Sequence, residues 1–392
     1  MGSFVKFAPK ILALSGIYFH IPFCSKACAY CDFHFSTSLK LKSEVLSAMK
    51  AELEHRLAHC NWQSIQSIYF GGGTPSLLNA SEIDDLLKPI WKRFGKEIQE
   101  FTLEANPDDL SPEKLHALRK IGVNRLSIGI QSFFQEDLEW MNRSHNAEQA
   151  EQCLRDAKQA GFKSFNTDLI FGYPLLSDAK LHQNLEKMIA FGVNHLSTYS
   201  MTVEPGTALD FAIREKGQEA MEEGQAENQY RYIMKFLKER GWNHYEVSNF
   251  CKVGNPSLHN SSYWSGRPYL GIGPSAHGYD GKERYWNVAN NAAYVRQMND
   301  NILPEERESL RPSDQYNEFL MTRLRTSGGI SRDEMGQFFR PQMFDDLKKQ
   351  LEQAEMEKYF VLSKDLVHMN EEGFLIADHL ISELFIVPED KF

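Results

Sequence analysis

The sequence predicts an α/β fold: a partial (β/α)6 parallel barrel, then a mixed segment, then a C-terminal helical domain of winged-helix-like type. Three observations predict it. Short β-type runs alternate with longer helical stretches from residue 16 to about 200, as repeated strand–helix units require. Every one of those runs is followed by polar or special residues. After residue 200 the alternation weakens, and the chain turns aromatic-rich and then helical.

In chain order, the expected strands fall at 17–22, 65–70, 100–104, 125–130, 164–170 and 195–200, with helical patterns at 43–59, 111–121, 147–160 and 178–191 between them. Ser111 followed by Pro112 is a helix start, because proline's fixed φ and missing N–H suit the first helical position. A long helix at 225–240 leads to a strand-like run at 245–250, and the Gly- and aromatic-rich stretch 264–286 reads as irregular chain laid over the barrel. From 311 the pattern is helical, then an apolar hairpin at 360–369 and a last helix at 371–385. The expected divisions are an extension at 1–15, the barrel at 16–245, an irregular segment at 246–310 and the winged-helix-like domain at 311–392.

With 42% hydrophobic and 24% charged residues among 392, the chain can bury one large core and a smaller one. A net charge of −10 argues against non-specific binding to nucleic-acid phosphates or anionic lipid, so no nucleic-acid partner is expected. Residues 1–15 carry Lys6 and Lys10 but no apolar core ending in a small-residue cleavage site. No apolar run approaches the roughly 18–20 residues that cross a bilayer. A cytoplasmic protein is expected.

Chemistry in a parallel barrel gathers at the carboxyl ends of its strands. Here those ends carry, in order, Cys24, Cys28 and Cys31; Gly71-Gly72-Gly73-Thr74-Pro75; Glu104 with Asn106; Gln131; Asp168; and residues 201–204. Clustered thiols in an enzyme-sized chain without secretion features favour a metal over disulfides, whereas the scattered Cys60, Cys153 and Cys251 read as small buried hydrophobes. Soft thiolates select zinc or an iron–sulfur cluster. A closed zinc site needs a fourth ligand, for which His34 and the more awkward His20 are nearby, while a cubane with one open iron needs only three. Gly71–Gly73 alone would suit a tight strand-to-helix turn, and Glu104 and Asp168 a buried ion pair with Arg143.

CxxxCxxC after the first strand, followed by Gly-Gly-Gly-Thr-Pro after the second, resembles the radical SAM superfamily. The resemblance implies a [4Fe–4S] cluster on Cys24, Cys28 and Cys31, with S-adenosylmethionine (SAM) completing the fourth iron and receiving one electron at its sulfonium. Tyr18-Phe19-His20-Ile21-Pro22-Phe23, Glu104-Ala-Asn-Pro107, Ser127-Ile-Gly-Ile-Gln131-Ser-Phe133 and Asn166-Thr-Asp168 are similar to the group of oxygen-independent coproporphyrinogen III dehydrogenases (HemN) and HemW-type haem chaperones. On that resemblance Tyr18, Gly72, Gly73, Thr74, Glu104, Gln131, Arg143 and Asp168 contact SAM, the carboxylates and amide taking hydroxyls and ammonium and the Arg fork taking the ligand carboxylate.

Three features point to the chaperone branch. The dehydrogenases have a further Cys where this chain has Phe33, and a longer segment before the first strand. His259-Asn260-Ser-Ser-Tyr263-Trp264 matches the HNxxYW pattern of the chaperones, which makes His259 the candidate axial ligand of haem iron. The expectation is therefore a haem-binding protein that passes haem to an acceptor, a membrane protein among the candidates, without coproporphyrinogen dehydrogenase activity; a dimer is compatible with this. The alternatives are that dehydrogenase activity, in which propionates lose carbon dioxide to become vinyls, and a zinc-stabilised protein whose winged-helix-like end contacts nucleic acid.

Overall fold

A computed structural model describes residues 15–222 and 224–387, so the expected extension at 1–15 lies outside the described residues except for Ser15. Six parallel strands run in sequence order: β1 (Ser15–Ile21), β2 (Ile65–Gly72), β3 (Glu100–Ala105), β4 (Arg125–Gln131), β5 (Ser164–Phe171) and β6 (His195–Ser200). Helices α1 (Lys42–His59), α2 (Ala80–Phe94), α3 (Pro112–Lys120), α4 (Gln135–Trp140), α5 (Ala147–Gln159) and α6 (Asp178–Ala190) lie between them. Side chains alternate across each strand with a period of two. Ile17, Phe19 and Ile21 of β1, Ile68 and Phe70 of β2 and Leu126 and Ile128 of β4 are fully buried in the core. The opposite faces carry Tyr18, Tyr69, Glu104, Ser127, Asn166, Asp168 and Ser197, of which Tyr69 bonds Glu104 and Asn166 bonds Ser127, Asp168 and Ser197 inside the barrel. Asn166 Nδ2, for example, donates to Ser127 Oγ at 2.8 Å and to Ser197 Oγ at 2.9 Å.

Helices α7 (Ala208–Lys216) and α8 (Gln225–Lys238) follow. The expected strand at 245–250 is instead a hairpin, β7 (Trp242–Glu246) and β8 (Asn249–Lys252), whose β8 pairs antiparallel with β6.

The segment 246–310 is not irregular. After α9 (Leu258–Trp264) it supplies β9 (Tyr269–Ile272), β10 (His277–Tyr279), β11 (Glu283–Asn287), α10 (Asn291–Asn299) and β12 (Glu305–Ser309). Strand β9 pairs parallel with β1, and the next three strands continue antiparallel, which makes one twelve-stranded sheet. Local sequence hides this because the decisive partner of β9 is some 250 residues away, and because glycines stand where the chains meet. A Cβ on Gly271 would lie 1.8 Å from His277 O, and one on Gly278 would lie 2.0 Å from the Tyr285 ring.

One buried carboxylate ties this added sheet to the barrel. Glu52 of α1, 0% exposed, accepts from Arg56 Nε (2.7 Å), Gly273 N–H and Asn287 Nδ2 (both 2.8 Å) and Tyr294 Oη (2.5 Å). Arg56 also pairs with Glu305 at 2.7 Å and lies 3.9 Å over the Tyr285 ring.

The C-terminal part runs α11 (Pro312–Leu324), β13 (Ile330–Ser331), α12 (Arg332–Phe338), α13 (Gln342–Leu351), α14 (Ala354–Glu357), the hairpin β14 (Phe360–Leu362) and β15 (Leu366–Met369), α15 (Glu371–Leu375) and α16 (Ala377–Ser382). Its separate three-stranded sheet, β13-β15-β14, joins the hairpin to the strand that precedes helices α12–α14, a winged-helix-like arrangement with one short extra helix, α14. Among the described residues no helix is long and apolar enough to cross a membrane.

Glu52→Ala leaves Arg56 buried and several donors unpaired, so we expect it to cost about 3–5 kcal/mol in urea unfolding. Glu52→Gln, which keeps some acceptors, costs less, and amide exchange speeds up first in β9–β12.

Candidate functional site

The cysteine loop is pinned at both ends. At its base Cys24 N–H donates to Ser36 O (3.1 Å) and Ser36 N–H to Pro22 O (2.9 Å). Its far side is clasped by the turn after α4, where Ala29 N–H donates to Met141 O (3.0 Å), Asn142 Nδ2 to Ala27 O (2.7 Å) and Lys26 Nζ to Arg143 O (3.1 Å). Asn142 makes that turn with φ 56°, a left-handed conformation that Asn tolerates.

Arg143 then reaches from this turn into the barrel mouth. Its Nη1 donates to Cys28 Sγ at 3.2 Å and Tyr30 Oη at 3.4 Å, and its Nη2 to Asn106 Oδ1 at 2.7 Å and Gly129 O at 2.9 Å. The alternative of an ion pair with Glu104 or Asp168 is therefore not made, and both terminal nitrogens of the guanidinium already have protein partners. Only Nε is left, buried and without a partner.

Cys24, Cys28 and Cys31 are free and partly buried. Burial raises the Cys24 thiol, against an opposing hydrogen bond from Thr74, and pushes Cys31 up to about 11. Neither thiolate is stable there without a cation to hold it. Among the described residues no three His, Cys, Asp or Glu side chains gather as ligands of one ion. A cubane asks for no such convergence, because each thiolate binds its own iron.

Opposite the loop lies the glycine run. A Cβ on Gly71 would meet the Tyr18 ring at 2.9 Å and Glu104 Oε1 at 3.0 Å, and one on Gly73 would meet Ile21 O and Phe23 O at 2.7 Å. Gly72 has φ 102° and donates its N–H to Glu104 Oε2 at 3.2 Å. Tyr69 Oη donates to the other Glu104 oxygen at 2.8 Å. At the end of β4, Gln131 adopts φ 64°, strained for a residue with a side chain, and its Oε1 is buried without a partner. Asp168 accepts from Asn166 Nδ2 at 2.7 Å. Desolvation raises Glu104 to about 7 and Asp168 to about 6, so both carboxyls at the mouth titrate close to neutral pH.

Two buried polar atoms without partners, Gln131 Oε1 and Arg143 Nε, together with a side-chain-free glycine floor, fit a bound polar ligand beside the thiols. Tyr30 and Tyr69 belong to the same mouth but escaped sequence reasoning, and Asn166 was noted only as part of a motif, without a role; strand alternation singles out Tyr69 and Asn166, while Tyr30 had only its place between cysteines.

Both ring nitrogens of His259 are taken by hydroxyl partners in this structure. It is 1% exposed, and its Nδ1 and Nε2 lie 2.8 Å from Ser67 Oγ and from Tyr263 Oη. Burial, then Arg125, lowers it to about 3, so it is neutral and structural. Its backbone N–H donates to Glu100 Oε1 at 3.1 Å, and its ring occupies the space that a Cβ on Gly16 would need. The HNxxYW residues thus fasten α9 to β1, β2 and β3, and they set Tyr263 on the wall of a cleft. That cleft, about 360 Å³, runs from Tyr18, Gly72 and Glu104 past Phe33 and His34 to Tyr269, Ser275 and His277.

A Radical SAM superfamily model matches residues 18–188. The heme chaperone HemW of Bacillus subtilis is 34% identical over 325 residues, covering 81% of this chain and 85% of its own. That of Haemophilus influenzae is 32% identical over 97% of this chain and 100% of its own. A bovine mitochondrial radical S-adenosyl methionine domain-containing protein 1 is 30% identical over 93% of this chain and 82% of its own. The structure of coproporphyrinogen III oxidase (HemN) from Escherichia coli superposes with a TM-score of 0.80 at 22% identity, over 94% of this chain and 89% of that one, which establishes the shared fold.

Glu104 and Asp168 bind protons more tightly folded than unfolded. Each therefore stabilises the fold fully below about pH 4, and this contribution is lost as pH rises through about 6 for Asp168 and about 7 for Glu104. In the metal-free chain the urea midpoint should fall between about pH 5 and pH 8, and Glu104→Gln with Asp168→Asn should flatten that fall.

Proposed function

Because the chain belongs to the HemW family of the radical SAM superfamily, we propose that it binds haem and passes it to an acceptor protein, and that it carries a [4Fe–4S] cluster and SAM as resident cofactors. The observation that carries this reading is the thiol loop clamped by Arg143 against a glycine cradle, in a chain that HemW relatives match almost from end to end.

Cys24, Cys28 and Cys31 would hold three irons of the cluster. SAM would lie between them and the cradle, with its ammonium toward Glu104 and the Gly72–Gly73 backbone, its hydroxyls toward Gln131 and Asp168, and Tyr18 and Thr74 at its borders. When bound, cluster and SAM supply one-electron chemistry at the sulfonium. The chain's own part is electrostatic. Arg143 offsets the negative charge of the thiolates by donating to Cys28, and it is a positioning residue for that ligand. Glu104 and Asp168 turn fully anionic where a cationic ligand settles between them.

The acceptor is a haem-requiring apoprotein, with membrane proteins in the candidate class. Haem is cargo here, which distinguishes the reading from propionate decarboxylation; Phe33 stands where the dehydrogenases place another Cys.

The test is anaerobic. Reconstituted protein should bind about four irons and four sulfides, and the Cys24/Cys28/Cys31 triple-Ala variant none. Haem titration should give a saturable Soret band, and coproporphyrinogen should not be turned over. Absence of any haem-dependent band in cluster-loaded protein sinks the proposal. Arg143→Lys, which keeps the charge but loses the fork, should lower cluster retention roughly tenfold, read as iron remaining after gel filtration.

A further inference from the structure

Withdrawing His259 leaves the haem iron without its expected ligand. The cleft contains three other imidazoles. His20 is buried, with Nδ1 3.3 Å from Tyr18 Oη and Nε2 3.0 Å from His34 O. His34 has its Nε2 3.0 Å from Asn291 Oδ1. His277 alone is exposed, and among the described residues neither of its ring nitrogens has a hydrogen-bond partner.

Its setting is that of a mounted ligand. His277 opens β10, and Gly271 and Gly278 let the neighbouring backbone and the Tyr285 ring close around it without room for a Cβ. Its ring lies 6.2 Å from that of Trp286, its antiparallel partner, at 31°. Flat apolar faces suited to a macrocycle line the same cleft beyond its glycine-cradle end, from Tyr263, Tyr269 and a Phe33 that is 68% exposed. Desolvation, then the nearby Arg284, lowers the proton affinity of His277, which keeps its lone pair free at neutral pH.

We propose that His277 is the axial ligand of the haem iron, with the porphyrin seated in the cleft between the cysteine loop and β9–β10. This rests on the haem-chaperone reading above. Coordination forms one Fe–N bond from the neutral ring and displaces a solvent ligand; no electron or proton moves.

Haemin titrations of cluster-loaded wild type, His277→Ala and the remote His182→Ala, followed by Soret absorbance and low-temperature electron paramagnetic resonance, test it. Wild type and His182→Ala should show the same saturable histidine-ligated spectrum. His277→Ala should keep its iron and sulfide content, bind haemin at least ~10-fold more weakly, lose that spectrum, and regain it on addition of free imidazole. An unaltered spectrum and affinity in His277→Ala overturns the ligand assignment while leaving the chaperone reading intact. No haemin binding by wild type overturns both.

Discussion

The far wall of the cleft depends on one buried carboxylate. Glu52 faces a peptide N–H, an amide, a phenol and a guanidinium that come from α1, the Gly273 turn, β11 and α10. A charge taken out of water is tolerable only when its lone pairs are matched in this way. The match is possible in one placement of β9–β12 against the barrel, so it fixes register as well as position. With it come Tyr269, Ser275 and His277, which would otherwise have no reason to stand opposite the glycine cradle.

Within the mouth, charges are arranged so that ligands complete them. Burial raises the Cys24 and Cys31 thiols and the Glu104 and Asp168 carboxyls, with Asp168 adding to the rise at Glu104, while Arg143 is committed to one sulfur, one phenol, one amide and one carbonyl. Gln131 is held in a left-handed backbone with an amide oxygen facing nothing. Strain and unpaired polarity of this kind persist where a bound group repays them elsewhere in the cycle.

Much of this was legible in the sequence, for physical reasons that also mark where legibility stops. Parallel strands announce themselves through alternation, so Glu104, Gln131 and Asp168 could be placed at one mouth from their positions at strand ends, while Tyr18 was placed there by resemblance alone. Short strands paired across some 250 residues announce nothing locally, and β9–β12 were read as irregular chain. The HNxxYW residues were assigned to haem by resemblance, but imidazole chemistry depends on what each nitrogen touches. Ser67 and Tyr263 take both nitrogens of His259. His277 carries no motif that reasoning from sequence had weighed; its freedom from partners exists only once β10 is folded.

The cysteine loop has two edges. One presents Cys24, Cys28 and Cys31, and the other, through Phe33 and His34, forms part of the cleft wall. On the proposed reading a single short loop borders two binding sites, and order that a metal imposed on it would be inherited by the guest next door. Thermodynamic linkage makes the effect mutual: if the cluster improves uptake of the cargo by some factor, the cargo improves retention of the cluster by the same factor. On the proposed reading, release of cargo to an acceptor would then depend on the state of the iron–sulfur centre, with this loop as the element that couples the two.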